Sequence, residues 1–126
     1  MAIRKILTID DERGTIRLNE NLLGSQGYQV ISASDGMKGF LMAQEEQPDV
    51  ILLDLILPGM YGFEVCKKLK SNEKTKHIPI IIITGSGLEE VAEKEPEIQA
   101  EAYLTKPYGL VELMSAIRKV DSKLSS

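Results

Sequence analysis

A chain of 126 residues, 43% of them hydrophobic, is long enough to bury a core of its own and too short for two, so one unit spanning 1–126 is expected. With 15 basic against 19 acidic residues the net charge is -4, which excludes the electrostatic footprint of a direct nucleic-acid binder or of a surface for anionic lipid. No stretch approaches membrane-spanning length and the start has no signal-peptide pattern, so no membrane insertion and a cytoplasmic location are expected.

Ile3 to Ile9 is β-branched and apolar and stops at Asp10-Asp11. Glu12 to Gln26 then places Ile16, Leu22 and Leu23 at near-helical spacing, with Gly27 as a left-handed cap. Tyr28 to Ala33 alternates as a half-buried edge strand does, Ser34-Asp35-Gly36 is a turn, and Met37 to Glu46 carries Phe40, Leu41 and Ala43 on one side of a helix. After Pro48 come four apolar residues in a row, Val50 to Leu53, with no polar alternation. That is a strand covered on both faces, and it ends in a carboxylate, Asp54, before Pro58 and Gly59 take the chain out of the sheet.

Phe63 to Ser71 resumes a helix with Val65, Cys66 and Leu69 inward and Lys67, Lys68 and Lys70 on a solvated face. Cys66, the single cysteine, has no internal disulfide partner and reads as a small buried packing residue. Ile78 to Ile83 is a second continuous apolar strand, ending at Thr84-Gly85-Ser86-Gly87. Leu88 to Glu95 has helical character that Pro96 breaks; Ala102 to Thr105 is a short strand ending at Lys106-Pro107; Val111 to Leu124 is a last amphipathic helix. Five strands alternating with five helices demand right-handed crossovers, hence a doubly wound α/β fold with a five-stranded parallel sheet and helices on both faces.

In such a sheet all strand carboxyl ends share one edge, so Asp10, Asp11, Asp54, Thr84 and Lys106 converge although they are far apart in sequence. Singly, an Asp or Thr after a strand is often only a cap or turn former; their joint placement at four strand ends sets these apart. Three carboxylates at one rim repel, and a hard divalent cation, Mg²⁺, is their natural partner. Mg²⁺ with one or two carboxylates anticipates a phosphoryl group, for which Asp54 is the placed nucleophile and the Lys106 ammonium and Thr84 hydroxyl are the partners of the remaining oxygens.

Over nearly its whole length the chain resembles the receiver domain of bacterial two-component response regulators. The resemblance is carried by Asp10-Asp11 after the first strand, Asp54 with Pro58 and Gly62 downstream, Thr84 with the small Gly85, and Lys106-Pro107 preceded by Tyr103. It implies the flavodoxin-like (β/α)5 strand order 2-1-3-4-5, for which a member of this family is a standard example. It further implies a stand-alone phosphoacceptor that takes a phosphoryl group onto Asp54 from a phosphohistidine of a sensor histidine kinase or histidine phosphotransfer protein, and then acts on a downstream protein target. Asp11, Asp54 and the backbone carbonyl of Ile56 would bind Mg²⁺, with Asp10 acting through a metal-bound water. Thr84 and Tyr103 would switch on phosphorylation, and the Lys106-Pro107 bond would be cis. The chain departs from the family pattern at Gln99-Ala100, where Gly-Ala is common, at Pro96, which shortens or displaces the fourth helix, and at the apolar Ile56 two beyond the phosphoacceptor.

Three other readings compete. An aspartate-nucleophile phosphatase of the haloacid dehalogenase type needs a second Asp two residues after the first, where this chain has Ile56. A flavodoxin needs a Ser/Thr/Gly-rich phosphate loop after the first strand, where Asp10-Asp11-Glu12 repels phosphate. A receiver fold kept as a protein-interaction module without phosphorylation would not need every site residue to be present. His77, the lone histidine, precedes a strand in a loop and is not read as a phosphorelay histidine.

Overall fold

The computed structural model describes residues 3–57, 61–85 and 100–125. The expected helix at Leu88–Glu95, the break at Pro96, Gln99, Ser86-Gly87 and Pro58-Gly59 lie outside the described residues.

Strands β1 (Lys5–Ile9), β2 (Gln29–Ala33), β3 (Val50–Asp54), β4 (Ile80–Thr84) and β5 (Ala102–Thr105) form one sheet in the order β2-β1-β3-β4-β5. Every neighbouring pair is parallel. The described helices are α1 (Arg13–Gly24), α2 (Gly36–Glu46), α3 (Gly62–Ser71) and α4 (Leu110–Ser125). None of the described helices is long and apolar enough to cross a membrane.

The apolar run of β3 is explained by its position. It lies between β1 and β4 and is buried at all five residues. Val50 and Leu52 enter one core with Leu23 of α1 and Leu113 and Ile117 of α4. Ile51 and Leu53 enter the opposite core with Ala43 of α2 and Val65 and Leu69 of α3. Each fully buried Leu or Ile contributes about 1.5–3 kcal/mol of transfer free energy, so a polar residue within the run would cost more than any local propensity returns. Asp54, as the strand's last residue, meets the polar rim instead. Cys66 is buried in the second core.

The helix ends are set locally. Asp35 caps α2 by accepting the Lys38 N–H at 2.8 Å, and Gln47 closes that helix with φ +46. α1 ends two residues earlier than its apolar spacing predicts. From Gln26 on, the N–H groups reach back three residues, Gln26 to Leu23 and Gly27 to Gly24, and Gly27 at φ +92 turns the chain toward β2.

The crossing from β3 into α3 is very close. The Gly62 N–H donates to the Leu55 carbonyl at 2.7 Å, and a Cβ at Gly62 would collide with the Asp54 carbonyl oxygen and lie 2.6 Å from Leu55 Cα. Those are backbone atoms, which cannot rotate away. Gly62→Ala is therefore expected to lose about 1–3 kcal/mol of stability in urea titration. Gly24→Ala, with nothing within 4 Å of the added carbon, is expected to be neutral or to gain up to about 1 kcal/mol in the same measurement.

Candidate phosphoryl and metal site

The carboxyl ends of β1, β3, β4 and β5 meet on one edge of the sheet, and four ladder-end hydrogen bonds fix how the chain leaves it. Asp10 N–H donates to the Ala33 carbonyl at 3.1 Å, Leu55 N–H to Ile83 at 3.0 Å, Lys106 N–H to Thr84 at 2.7 Å, and Gly62 N–H to Leu55 at 2.7 Å. The side chains at these exits are thereby held by main chain.

Asp54 is 5% exposed. Its Oδ1 accepts the Ile56 N–H at 3.0 Å and its Oδ2 accepts the Lys106 ammonium at 2.9 Å. Lys106 also stands 3.4 Å from Asp10 Oδ2 and 3.4 Å from Glu12 Oε1. The Lys106-Pro107 peptide is cis. Asp10, wholly buried, spends Oδ1 on the Glu12 N–H at 2.9 Å, the local turn that starts α1. Among the described residues its buried Oδ2 has no hydrogen-bond donor; it makes the 3.4 Å ion-pair contact with Lys106 and lies beside the Asp54 carboxylate.

The electrostatics follow from this crowding. Burial, reinforced by the Asp54 charge against the opposing Glu12 N–H and Lys106, pushes the Asp10 carboxyl up to about 6. Burial alone would pull the Lys106 ammonium down, but its hydrogen bond to Asp54 and the charges of Asp10, Asp54 and Glu12 outweigh that and hold it above the usual lysine range. Lys106 is therefore a fixed cation.

Asp11, Glu12, Asp54, Ile56, Gly85 and Lys106 line a cavity of about 230 Å³ over this cluster. Asp11 is exposed at its rim. The three carboxylates whose oxygens lie within 4.8 Å of one another are those of Asp10, Glu12 and Asp54. Glu12 is the residue that the strand-end rule does not select, since it lies one turn into the loop; its only sequence signal is being the third acid in Asp10-Asp11-Glu12. Thr84 is 3% exposed and gives its carbonyl to Lys106, while Gly85 rather than Thr84 lines the cavity. Tyr103, on the outer face of β5, is 47% exposed, and partial burial, with Cys66 nearby, raises its phenol. His77 is exposed in the loop before β4, at the amino end of that strand and so at the opposite end from Thr84.

Among the described residues the donor set fits a hard divalent cation: several carboxylate oxygens, one of them buried with no hydrogen-bond donor, against a single ammonium. Asp10, Asp54, Glu12 and Asp11 are the side chains available to hold it.

Residues 6–118 match the family model for the response regulator receiver domain. The chain is 40% identical over 116 residues to the response regulator PleD of Caulobacter vibrioides, covering 92% of this chain and 26% of that protein. It thus spans about a quarter to a half of the length of the first curated relatives that it matches. It is 32% identical to sporulation initiation phosphotransferase F of Bacillus subtilis, with 94% of each chain covered. Among solved structures it is similar to the receiver domain of the sensor histidine kinase PA1611 of Pseudomonas aeruginosa, determined with a magnesium ion in its active-site cleft. That match has a TM-score of 0.86 and 27% identity over 96% of this chain and 99% of that one.

The raised Asp10 carboxyl gives a pH dependence with a definite sign. Its contribution to stability is full below its ordinary value of 3.8 and is lost as pH rises through about 6. Without divalent cation, wild type is expected to fall behind Asp10→Asn by about 2–3 kcal/mol between about pH 4 and pH 7, then to stay level, in urea titrations. Millimolar-range Mg²⁺ is expected to raise the melting temperature of wild type near neutral pH and to do so far less at about pH 5, where Asp10 holds its proton.

Proposed function

Because the chain belongs to the response regulator receiver domain family, we propose that residues 1–126 act as one receiver unit of a two-component or phosphorelay system. Asp54 accepts a phosphoryl group from a phosphohistidine of a histidine kinase or histidine phosphotransfer protein, and the modified domain acts on a downstream protein target. The observation that carries this reading is the contact of the Lys106 ammonium with Asp54 Oδ2 at 2.9 Å beside an unpartnered oxygen of Asp10.

In the transfer an Asp54 oxygen attacks phosphorus, the P–O bond forms as the P–N bond to imidazole breaks, and the imidazole leaves with the bond's electron pair. Bound Mg²⁺ would supply positive charge against the phosphoryl oxygens, held by Asp54 and Asp11 with the Ile56 carbonyl, and by Asp10 through a water. Lys106 carries a second, permanent positive charge, positioned beside Asp54 to meet an oxygen of the incoming phosphoryl group. The Ile56 N–H keeps that carboxylate from rotating. Thr84, at the end of β4, supplies a hydroxyl once it turns toward the phosphoryl group, and Tyr103 follows it inward, a shift between two packings. The rim offers no acid or base two residues after Asp54, where Ile56 stands, so the unit is a phosphoacceptor rather than a turnover phosphatase. The site acts in the cytoplasm, where phosphohistidine donors are made.

Incubation with acetyl phosphate and Mg²⁺ is expected to add one phosphoryl group to wild type and none to Asp54→Ala, read by intact mass; a wild type that stays unmodified while folded removes the reading. The 55%-exposed Ile56 side chain at the cavity lip obstructs attacking water. Ile56→Asn is accordingly expected to shorten the acyl phosphate lifetime roughly threefold or more, followed as loss of the phosphoryl mass after donor removal.

A further inference from the structure

Away from the acidic cavity, one polar chain crosses the interior on the α1 and α4 side of the sheet. Asn19 of α1 and Thr8 of β1 are both wholly buried. The Tyr108 hydroxyl donates to Asn19 Oδ1 at 2.6 Å, and Asn19 Nδ2 donates to Thr8 Oγ1 at 3.2 Å. Tyr108 packs on the core cluster that contains Leu23, Leu113 and Ile117. An asparagine in such surroundings is costly unless both ends of its amide are paired, and here both are. Leucine would bury more apolar surface at that position with no such condition.

The two ends of this chain sit beside the site. Thr8 is two residues before Asp10, and Tyr108 is two residues after Lys106. The Lys106 main chain is fixed on one side by its N–H to the Thr84 carbonyl at 2.7 Å. On the other side Pro107 has no N–H to give, and the Gly109 N–H goes to Glu112 Oε1 at 3.2 Å, within the start of α4. Beside the contacts of the Lys106 ammonium with Glu12 and Asp10, the Tyr108 hydroxyl therefore adds a hydrogen bond that joins this turn to α1 and, through Asn19, to β1.

We infer that Asn19 is a positioning residue for phosphoryl transfer: by tying Tyr108 to Thr8 it fixes the turn that presents Lys106 to Asp54. Its consequence for rate rests on the phosphoacceptor reading; its geometry does not. Displacing a charged group by about an ångström from its productive position is sufficient to cost one to two orders of magnitude in rate. The dependence on the side chain is narrow, because only a neutral group with a donor and an acceptor in fixed relation serves both hydroxyls as they stand.

The test uses Tyr108→Phe, Asn19→Leu and the two combined, each with Lys106 present and in a Lys106→Ala background. The combined variant removes both partners of the Tyr108–Asn19 bond, and Thr8→Val is added to it so that the Thr8 hydroxyl is not left buried without Asn19, which guards against loss of folding. Hydrogen exchange over residues 105–112 is expected to quicken about tenfold in the variants while β3 is unchanged. The initial rate of phosphoryl gain from acetyl phosphate is expected to fall roughly fivefold or more with Lys106 present, and not to fall further in the Lys106→Ala background. Unchanged exchange over the turn overturns the inference. So does a rate loss of equal size in both backgrounds, which marks a general structural effect, or a wild-type rate in the combined variant. If wild type gains no phosphoryl group, the phosphoacceptor reading falls, and exchange over residues 105–112 still decides whether Asn19 holds the turn.

Discussion

The ammonium of Lys106 stands 2.9 Å from Asp54, 3.4 Å from Asp10 and 3.4 Å from Glu12, one positive charge facing three carboxylates in a partly buried rim. Coulomb attraction in such a place is several times stronger than in bulk water, and so is the repulsion among the acids. The ammonium cannot neutralise all three. Burial first, and then the Asp54 charge, drives Asp10 toward its protonated form, while the surrounding carboxylates lock Lys106 in its charged one. A site in this state attracts further positive charge and keeps one cation that needs no proton to act.

The sheet makes that confrontation possible. Its order β2-β1-β3-β4-β5 puts β1 and β4 on either side of β3, so the groups after Ile9 and after Ile83 flank Asp54. β5 then brings Lys106 from the far side of β4, and the Lys106 N–H to Thr84 carbonyl bond continues the ladder past the strand end. β1, β3 and β4 have their register fixed by burial on two faces, and β5 by burial of Ala102 and Leu104 on one. Sliding β3 by one residue would exchange Leu52 and Leu53 between the two cores and take Asp54 off the rim. Packing deep in the domain thus sets distances at its edge.

Much of this was legible in the residues, and for identifiable reasons. Val50 to Leu53 is apolar without alternation because neither face sees water, and the polar terminators of the apolar runs stand out because they break those runs. Strand order was not legible from the runs themselves. Nothing in Ile6-Leu7 or Ile80-Ile81 says which neighbour each strand takes, and only the family resemblance supplied it. Glu12 escaped because its place depends on a turn made by Asp10 Oδ1 and the Glu12 N–H, a contact within the loop that no periodicity encodes. Asn19 reads as one more polar residue of an amphipathic helix. Its burial depends on hydroxyls 11 residues before it and 89 residues after it, which only the folded chain brings together. The tightened end of α1 was half visible: Gly27 marks the left-handed position, but not the change to three-residue spacing ahead of it.

Asp10 shows how a turn former and a site residue can be told apart. The turn needs one acceptor oxygen for the Glu12 N–H, and Asn, Ser or Thr would supply it at no electrostatic cost. What Asp10 adds is a second oxygen, wholly buried, without a hydrogen bond, and carrying charge into a rim that already holds Asp54 and Glu12. Burial of that charge raises the Asp10 carboxyl and so is expected to lower the stability of the metal-free fold near neutral pH, which the turn alone does not require. A cation with a strong demand for oxygen does, because it converts the same repulsion into ligand strength. The crowding of that second oxygen against Asp54 and Glu12, more than the number of acids, is therefore what makes this rim fit a cation.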